Sequence, residues 1–491
     1  MIRRPAFIFL ACVAGSLLTR ALFIPVEILD MDEASHAVGS WVWMNGGQLY
    51  EDFINNKPPL LYAYYAFAQI IFGKGLVAVH IMTALIVVPF TAFAASAFFD
   101  HRKAGVLAAA LYLIYSAAFL AHDMHSTNAE ILMVLPGAWA IVLVRNHQLA
   151  ESKFRMLVAG FLFGLGFLFK YQIALGILPI AIASARTHTR RWIYLLPGFF
   201  VAPVITIFLF HRAGGLDDLL YWLFWNNLLY SANPISLWEA LGRAASYLLP
   251  FLLITAPLWF LWIRARGLFD EYRKILTTWL IIVSIPPLFV GFRFFPHYFI
   301  QLYFPLVIAA TPAIIESFRR KAFIVYSIAI LIVSSLTNAY LYFGNRKVYR
   351  ERDPVYAAVA ERLKSDRCFK NATLFVWGYA PAFYYHAGLQ PATRFVVMGQ
   401  ARLTGYVSGN LESLDRASGT GVAQHWDWLM SDLKTNHCTY ILDTAPANIY
   451  RWNRFPMDAF PRLRNYVAEN FEWIAVVDDV VIYRRNQCSS E

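Results

Sequence analysis

The stretch LDMDEASHAVGSWVWMNGGQLYEDFINNKPPLLY, residues 29 to 62, sets Asp30, Asp32, Glu33, Glu51, Asp52 and a single lysine, Lys57, between two hydrophobic runs. The run before it reaches membrane length, and the run after it, PPLLYAYYAFAQIIFG (58–73), is about a turn short of that length. A soluble chain spreads its carboxylates over its surface. Here they gather where the first apolar helix ends, so the stretch reads as a polar loop at a membrane boundary.

The rest of the chain agrees with a membrane setting. Of 491 residues, 59% are hydrophobic and only 15% charged, against about a quarter charged in soluble domains. Aromatics reach 17%, as expected where rings sit at lipid–water boundaries. The net charge of +11 does not point to nucleic acid, because only +3 of it lies from Gly344 onward. The remainder belongs to short loops between apolar runs, where basic residues set orientation. Four cysteines are too few for a disulfide scaffold, and no Cys/His spacing resembles a zinc site.

Apolar runs predict about eleven spans, near 5–26, 75–99, 104–120, 129–144, 156–170, 171–185, 192–210, 244–263, 275–290, 299–315 and 322–343. The 156–185 region yields two spans only if the chain turns tightly at Lys170. Clusters from Arg3/Arg4 to Arg319/Arg320/Lys321 put 17 basic residues on one side, against 6 on the other up to residue 298. The positive-inside rule then places the N-terminus in the cytoplasm, and the acidic loop and C-terminal region outside, in a periplasm for a bacterial chain. Residues 58–73 are expected to form an interfacial helix begun by prolines. Residues 33–44 are expected to form another, with Asp32 as N-cap and Asn45-Gly46-Gly47 as its end. The loop 211–243 reads as lying flat in the interface.

The expected division is a membrane domain over 1–343 and a soluble α/β domain over 344–491. In the latter, ATLFVWG, TRFVVMG, TYILDTAP and WIAVVDDVVIYRR read as strands, and DPVYAAVAERLKSD, HWDWLMSDLKT and PRLRNYVAENF as helices. No glycine-rich phosphate fingerprint follows the first strand. Cys368 and Cys438 each precede a strand, so they either bridge at one sheet edge or remain two thiols, with Cys12 and Cys488 as no obvious competitors.

The polar groups with chemical potential fall on one predicted side: Asp32, Glu33, Lys57, HDMHSTNAE (His122 to Glu130), Lys170, and GFRFFPHYFIQLYFP (Gly291 to Pro305). Charge close to a membrane core is costly, so its convergence suggests a site. Carboxylates that accept a proton, beside cations and tyrosines that bind an anion, suit attack by a hydroxyl and departure of a phosphate. Each also has a plainer reading. Asp30 and Asp32 serve as helix caps, Lys57 as a snorkelling anchor, and Arg293 and His297 as headgroup partners. His122, Asp123 and His125 serve as a solvated turn or as metal ligands.

DEASHAVGSWVWMNGGQLYEDFINNKPPLLYAYYAFAQIIFG resembles the first outer loop of the GT-C glycosyltransferases of family 39, which include protein O-mannosyltransferases and lipid A aminoarabinose transferases. NAEILMVLP, FRFFPHYFIQLYFPL and VWGYAPAFYYHAGLQPATRF are similar to further segments of that family, so the resemblance covers nearly the whole chain. It implies a polytopic GT-C membrane protein with a C-terminal extracytoplasmic α/β domain. The implied activity is inverting transfer of a sugar from a polyprenyl-phosphate donor to a glycan, lipid or protein hydroxyl.

By the same resemblance, Asp32 matches the carboxylate that activates the acceptor, and Glu130 the second carboxylate. Lys57, Arg293 and His297, with Tyr298 beside them, match groups around the donor phosphate. Glu33, Asp52, Asn56 and Lys170 are supporting or acceptor-side candidates. Relatives that modify lipid A carry Glu where this chain has Asn56, and no cofactor is required by the sequence, a divalent metal being left open. An O-antigen polymerase or ligase would be expected to use large Arg-rich outer loops, and a flippase would need polar groups near mid-membrane.

Overall fold

The computed structural model describes residues 3–231, 235–317, 320–344, 353–406 and 421–487. Arg319 and Cys488 lie outside them. The protein is a polytopic α-helical membrane protein with a small C-terminal sheet domain. Among the described residues, six helices are long and apolar enough to cross a membrane: Leu76–Ala97, Arg191–Ala213, Leu237–Leu268, Glu271–Phe292, Pro296–Glu316 and Arg320–Ala339. Shorter apolar helices cover Pro5–Arg20, Leu60–Phe72, Ala129–Leu143 and Tyr171–Arg186. Backbone contacts divide the chain into two compact units. The first holds 1–30, 57–209 and 237–340; the second holds 31–56, 210–236 and 341–491.

In the membrane unit the first helix stops at Arg20, and 21–25 form turns, so the expected run to Val26 is too long. Arg20 is buried, and its guanidinium donates to the carbonyl oxygens of Ser116 and Met124 at 3.1 and 3.4 Å. The chain does break at Lys170. The helix Lys153–Phe167 ends just before it, and Lys170 itself is extended, with φ −160°. Gly160 and Gly164 let that helix approach Leu195–Ala213 very closely. A Cβ at either would collide with a backbone carbonyl, of Leu195 or Phe199. Backbones this close gain dispersion contact where lipid offers no hydrophobic drive.

The second unit carries a five-stranded sheet of order β2-β1-β3-β5-β4. Its strands are β1 (Thr373–Trp377), β2 (Gln390–Pro391), β3 (Tyr440–Asp443), β4 (Phe471–Val477) and β5 (Val480–Arg485). β1 runs parallel to β2 and to β3, and β5 runs antiparallel to β3 and β4. TRFVVMG is not a strand: pairing is confined to Gln390 and Pro391, and Met398–Ala401 is helical. WIAVVDDVVIYRR is a hairpin rather than one strand, because Asp478 and Asp479 both take positive φ (47° and 62°) and reverse the chain in two residues. The three expected helices form as Asp353–Lys364, Ala423–Thr435 and Pro461–Asn470.

Cys438 is a free, buried thiol, whereas Cys368 is disulfide-bonded, so the two do not bridge. β1 and β3 are parallel neighbours, as a bridge would need. However, Cys368 sits in a turn five residues ahead of β1, pinned by Asp366, which accepts from the Cys368 amide at 3.0 Å and from the Tyr440 hydroxyl at 2.7 Å. The Cys438 sulfur turns inward and donates to the Tyr440 carbonyl oxygen.

Both loops that interrupt the membrane unit are built into this α/β unit. The helix Met31–Met44 stacks Trp41 on Tyr385, ring centroids 5.4 Å apart. The amide of Ile54 donates to the Arg394 carbonyl oxygen at 3.1 Å. From the other loop, the Tyr221 hydroxyl lies 2.9 Å from His425 Nε2. The helix begins at Met31, so Asp32 occupies its first turn instead of capping it, where a carboxylate still complements the exposed amides. Gly46, at φ +90°, ends the helix where expected.

Candidate active site

The turn 116–130 is the hub of the polar groups in the membrane unit. Arg20 holds it from one helix, and Asn338 from another. The Asn338 side chain donates to the Phe119 carbonyl oxygen at 2.6 Å and accepts from the Ala121 amide at 3.1 Å. Tyr65 donates its hydroxyl to the Thr127 carbonyl oxygen at 2.8 Å, and Thr83 meets Thr127 side chain to side chain at 2.9 Å. Asn128 donates to Asp30 at 3.2 Å, tying the end of the first loop to the same turn. A turn anchored from this many helices fixes its side chains despite lacking regular structure.

Asp123 projects from this hub into buried space. His122 Nε2 lies 2.8 Å from one of its oxygens. His297 approaches the other twice, through its backbone amide at 3.1 Å and its Nδ1 at 2.8 Å. The opposite nitrogen of His297 faces Glu130 at 3.8 Å, and Glu130 is ion-paired with Lys170. Lys170 in turn sits over the Tyr298 ring, 4.5 Å from its centroid. The result is an unbroken run of alternating charge, His122–Asp123–His297–Glu130–Lys170. Lys57 adds positive charge near Glu130.

Burial by itself would raise the Asp123 carboxyl, but His122 first and His297 second hold it well below the usual carboxylate range. Burial would lower His122, and the Asp123 charge overcomes this and raises it, with help from Asp30. Each charge is therefore kept by its neighbours, as buried ions require.

Of the residues expected at a site, Glu130, Lys170, His297 and Tyr298 come together, with Lys57 near. Arg293 is fully buried in the same unit. Its backbone carbonyl oxygen accepts from Arg243 at 3.3 Å, and Gly291 (φ +63°) leaves room for its guanidinium, which an added Cβ would meet at 2.6 Å. Asp32, Glu33, Asp52 and Asn56 belong to the α/β unit. Glu33 is fully buried there. Asp52 is exposed and accepts from the Gln48 amide at 2.7 Å within its own turn, and Asn56 donates to Asn227 at 3.3 Å.

Sequence reasoning missed the centre of the cluster. Asp123 reads, with His122 and His125, as part of a solvated turn or as a metal ligand, and Asp30 as a helix cap. The usable signal was an acid between two histidines in a chain otherwise poor in charge. Asp30, Asp123 and His297 each offer a ligand atom within 4.8 Å of the others, so these three would hold a divalent cation. Two oxygens and one imidazole suit such an ion and would leave coordination positions open. His125 is not among them, because it packs its ring 4.5 Å from that of Phe23.

The fold is that of the GT-C membrane glycosyltransferases. Residues 56–211 match the family described as dolichyl-phosphate-mannose-protein mannosyltransferase. The chain is similar in structure to ArnT from Cupriavidus metallidurans bound to undecaprenyl phosphate, with a TM-score of 0.61 at 14% identity over 99% of this chain and 98% of that one. It is also similar to the apo state of that protein, with a TM-score of 0.59 at 14% identity over 96% and 97%. No curated protein sequence matches the chain.

Proposed function

We propose that the protein is an inverting glycosyltransferase that moves a sugar from a polyprenyl-phosphate donor to an acceptor hydroxyl on the outer face of the membrane. The observation that carries this reading is the buried alternation of charge from His122 to Lys170. A membrane protein keeps such a cluster at a cost, and its composition suits one task. Cations around Glu130 offer partners for a phosphate, while Asp32 of the first loop offers an acceptor for a proton. The family match over 56–211 and the likeness to ArnT support a lipid-linked donor.

In this reading Asp32 is the general base. The acceptor oxygen attacks the anomeric carbon from the face opposite the phosphate, its proton passes to Asp32, and the bond from the anomeric carbon to the phosphate oxygen breaks. Lys57, Arg293 and His297 stabilise the departing polyprenyl phosphate. Asp123 fixes the orientation of His297 by gripping both its amide and its Nδ1. Glu130 and Lys170 hold each other in place and set the local charge. The N-terminus lies in the cytoplasm, and the active site and C-terminal domain lie outside.

The test is transfer by the purified protein from a radiolabelled polyprenyl-phosphate sugar. Asp32→Asn is expected to bind donor normally yet turn over at least ~100-fold more slowly, the usual scale for losing a general base. Near-normal turnover in that variant rejects Asp32 as the base. Movement of the labelled lipid across the bilayer without its consumption rejects transfer altogether.

A further inference from the structure

The α/β unit contains a cleft that the transfer reaction does not use. It has a volume of about 540 Å³, within the range of small-ligand clefts, roughly 300–1,000 Å³. It opens where β3 ends. Asp443, the last residue of β3, and Val481 and Tyr483 of β5 share one sheet face, since Asp443 pairs with Val481 and side chains two apart point the same way. The loop 445–458 supplies Asn453, Pro456, Met457 and Asp458, and the helix Pro461–Asn470 supplies Arg464 and Val467.

Asp443 is the informative residue. It is 7% exposed, and the only hydrogen bond of its carboxylate among the described residues is from the Ala445 amide, 2.9 Å from Oδ1. Its second oxygen receives no donor from the described residues, although the residue lines the cleft. Burial pushes the carboxyl up to about 6, with the nearby Asp458 adding to the effect. A folded domain rarely keeps an acid in so costly a state at a strand end unless something outside the chain completes it.

The surroundings narrow the class of ligand. Two carboxylates against one arginine disfavour a phosphate or another anion. Pro456, Met457, Val467 and the Tyr483 ring form an apolar wall suited to the C–H face of a ring. The Asn453 amide offers both a donor and an acceptor, and Asp443 an acceptor for one hydroxyl or two neighbouring ones. An apolar face beside several directional polar groups is the chemistry of a neutral sugar ring. We propose that this cleft is a saccharide-binding site of the α/β unit, with Asp443 accepting from sugar hydroxyls and Tyr483 packing on the ring.

The proposal stands apart from the transfer reaction and is tested without it. Full-length protein in lipid nanodiscs, free of sugar-based detergent, is examined by saturation-transfer difference NMR with methyl α-mannopyranoside, methyl β-glucopyranoside and N-acetylglucosamine at millimolar concentration. At least one is expected to receive saturation. Asn453→Ala, in an exposed loop where folding is not at stake, is expected to weaken its binding about fivefold, the value of one hydrogen bond. Asp443→Ala and Tyr483→Ala should abolish it, while Asp32→Asn should leave it intact. No saturation from any of the three sugars overturns the proposal. So does binding unchanged in Asn453→Ala and Tyr483→Ala.

Discussion

Replacing Asp443 by Asn should stabilise the α/β unit, and the size of the effect follows from its surroundings. The carboxyl is raised from 3.8 to about 6, chiefly because burial penalises its charge. A folded-state value above the unfolded one means that the native state holds the proton more tightly. Stability contributed by this group is thus full below about pH 4 and lost as pH rises through about 6. A rise of that size corresponds to about 3 kcal/mol, an upper value because the cleft admits water. Asn keeps an oxygen to accept from the Ala445 amide but carries no charge, so it removes the penalty. Hydrogen exchange of peptides covering β3 and β5 reads the outcome directly. At pH 7.5 the variant should be more protected than the parent, by up to about 100-fold. At pH 4 the two should agree. Equal protection at pH 7.5, or a less protected variant, would refute the reasoning, since it would mean that the carboxylate is well solvated or has a partner after all.

Asp123→Ala should uncouple His297 from the turn and leave it without its carboxylate partner in buried space; breaking such a pair costs about 3–5 kcal/mol, visible as a large fall in thermal stability in detergent. Asp123→Asn keeps the shape, and should lose turnover by at least ~10-fold with smaller loss of stability; unchanged turnover would show that the orientation of His297 does not matter. Gly164→Leu should separate the helix Lys153–Phe167 from Leu195–Ala213, because any side chain strikes the Phe199 carbonyl; well-folded protein of normal stability would contradict the close approach. Arg293→Ala should weaken donor binding and slow transfer together, and normal values of both would make Arg293 a packing residue.

Much of this protein was legible before its fold. Helical backbone occupies most of each apolar run, because lipid leaves the peptide group no partner outside its own helix. The turn at Lys170, the end of the second helix at Gly46 and the three amphipathic helices of the α/β unit were equally local matters. So was the charged character of the first loop. Where local signals were weak, reading failed. Two strands of one hairpin merged, since a two-aspartate turn looks like any polar interruption. TRFVVMG looked like a strand because β-branched residues suit burial as well as pairing.

Only the tertiary structure decided which polar residues meet. Asp123 and His297 are 174 residues apart and lie 2.8 Å from each other. Glu130 and Lys170 pair across the ends of separate helices. Their local patterns do not show which of them meet, because the cost that holds them together is desolvation, and desolvation depends on what surrounds a group after packing. The same holds for the acidic first loop. Its sequence showed a helix and a cluster of charge. That Met31–Met44 packs its Trp41 on Tyr385 of the distant tail depended on two aromatic faces finding each other, which the order of residues along the chain does not encode locally.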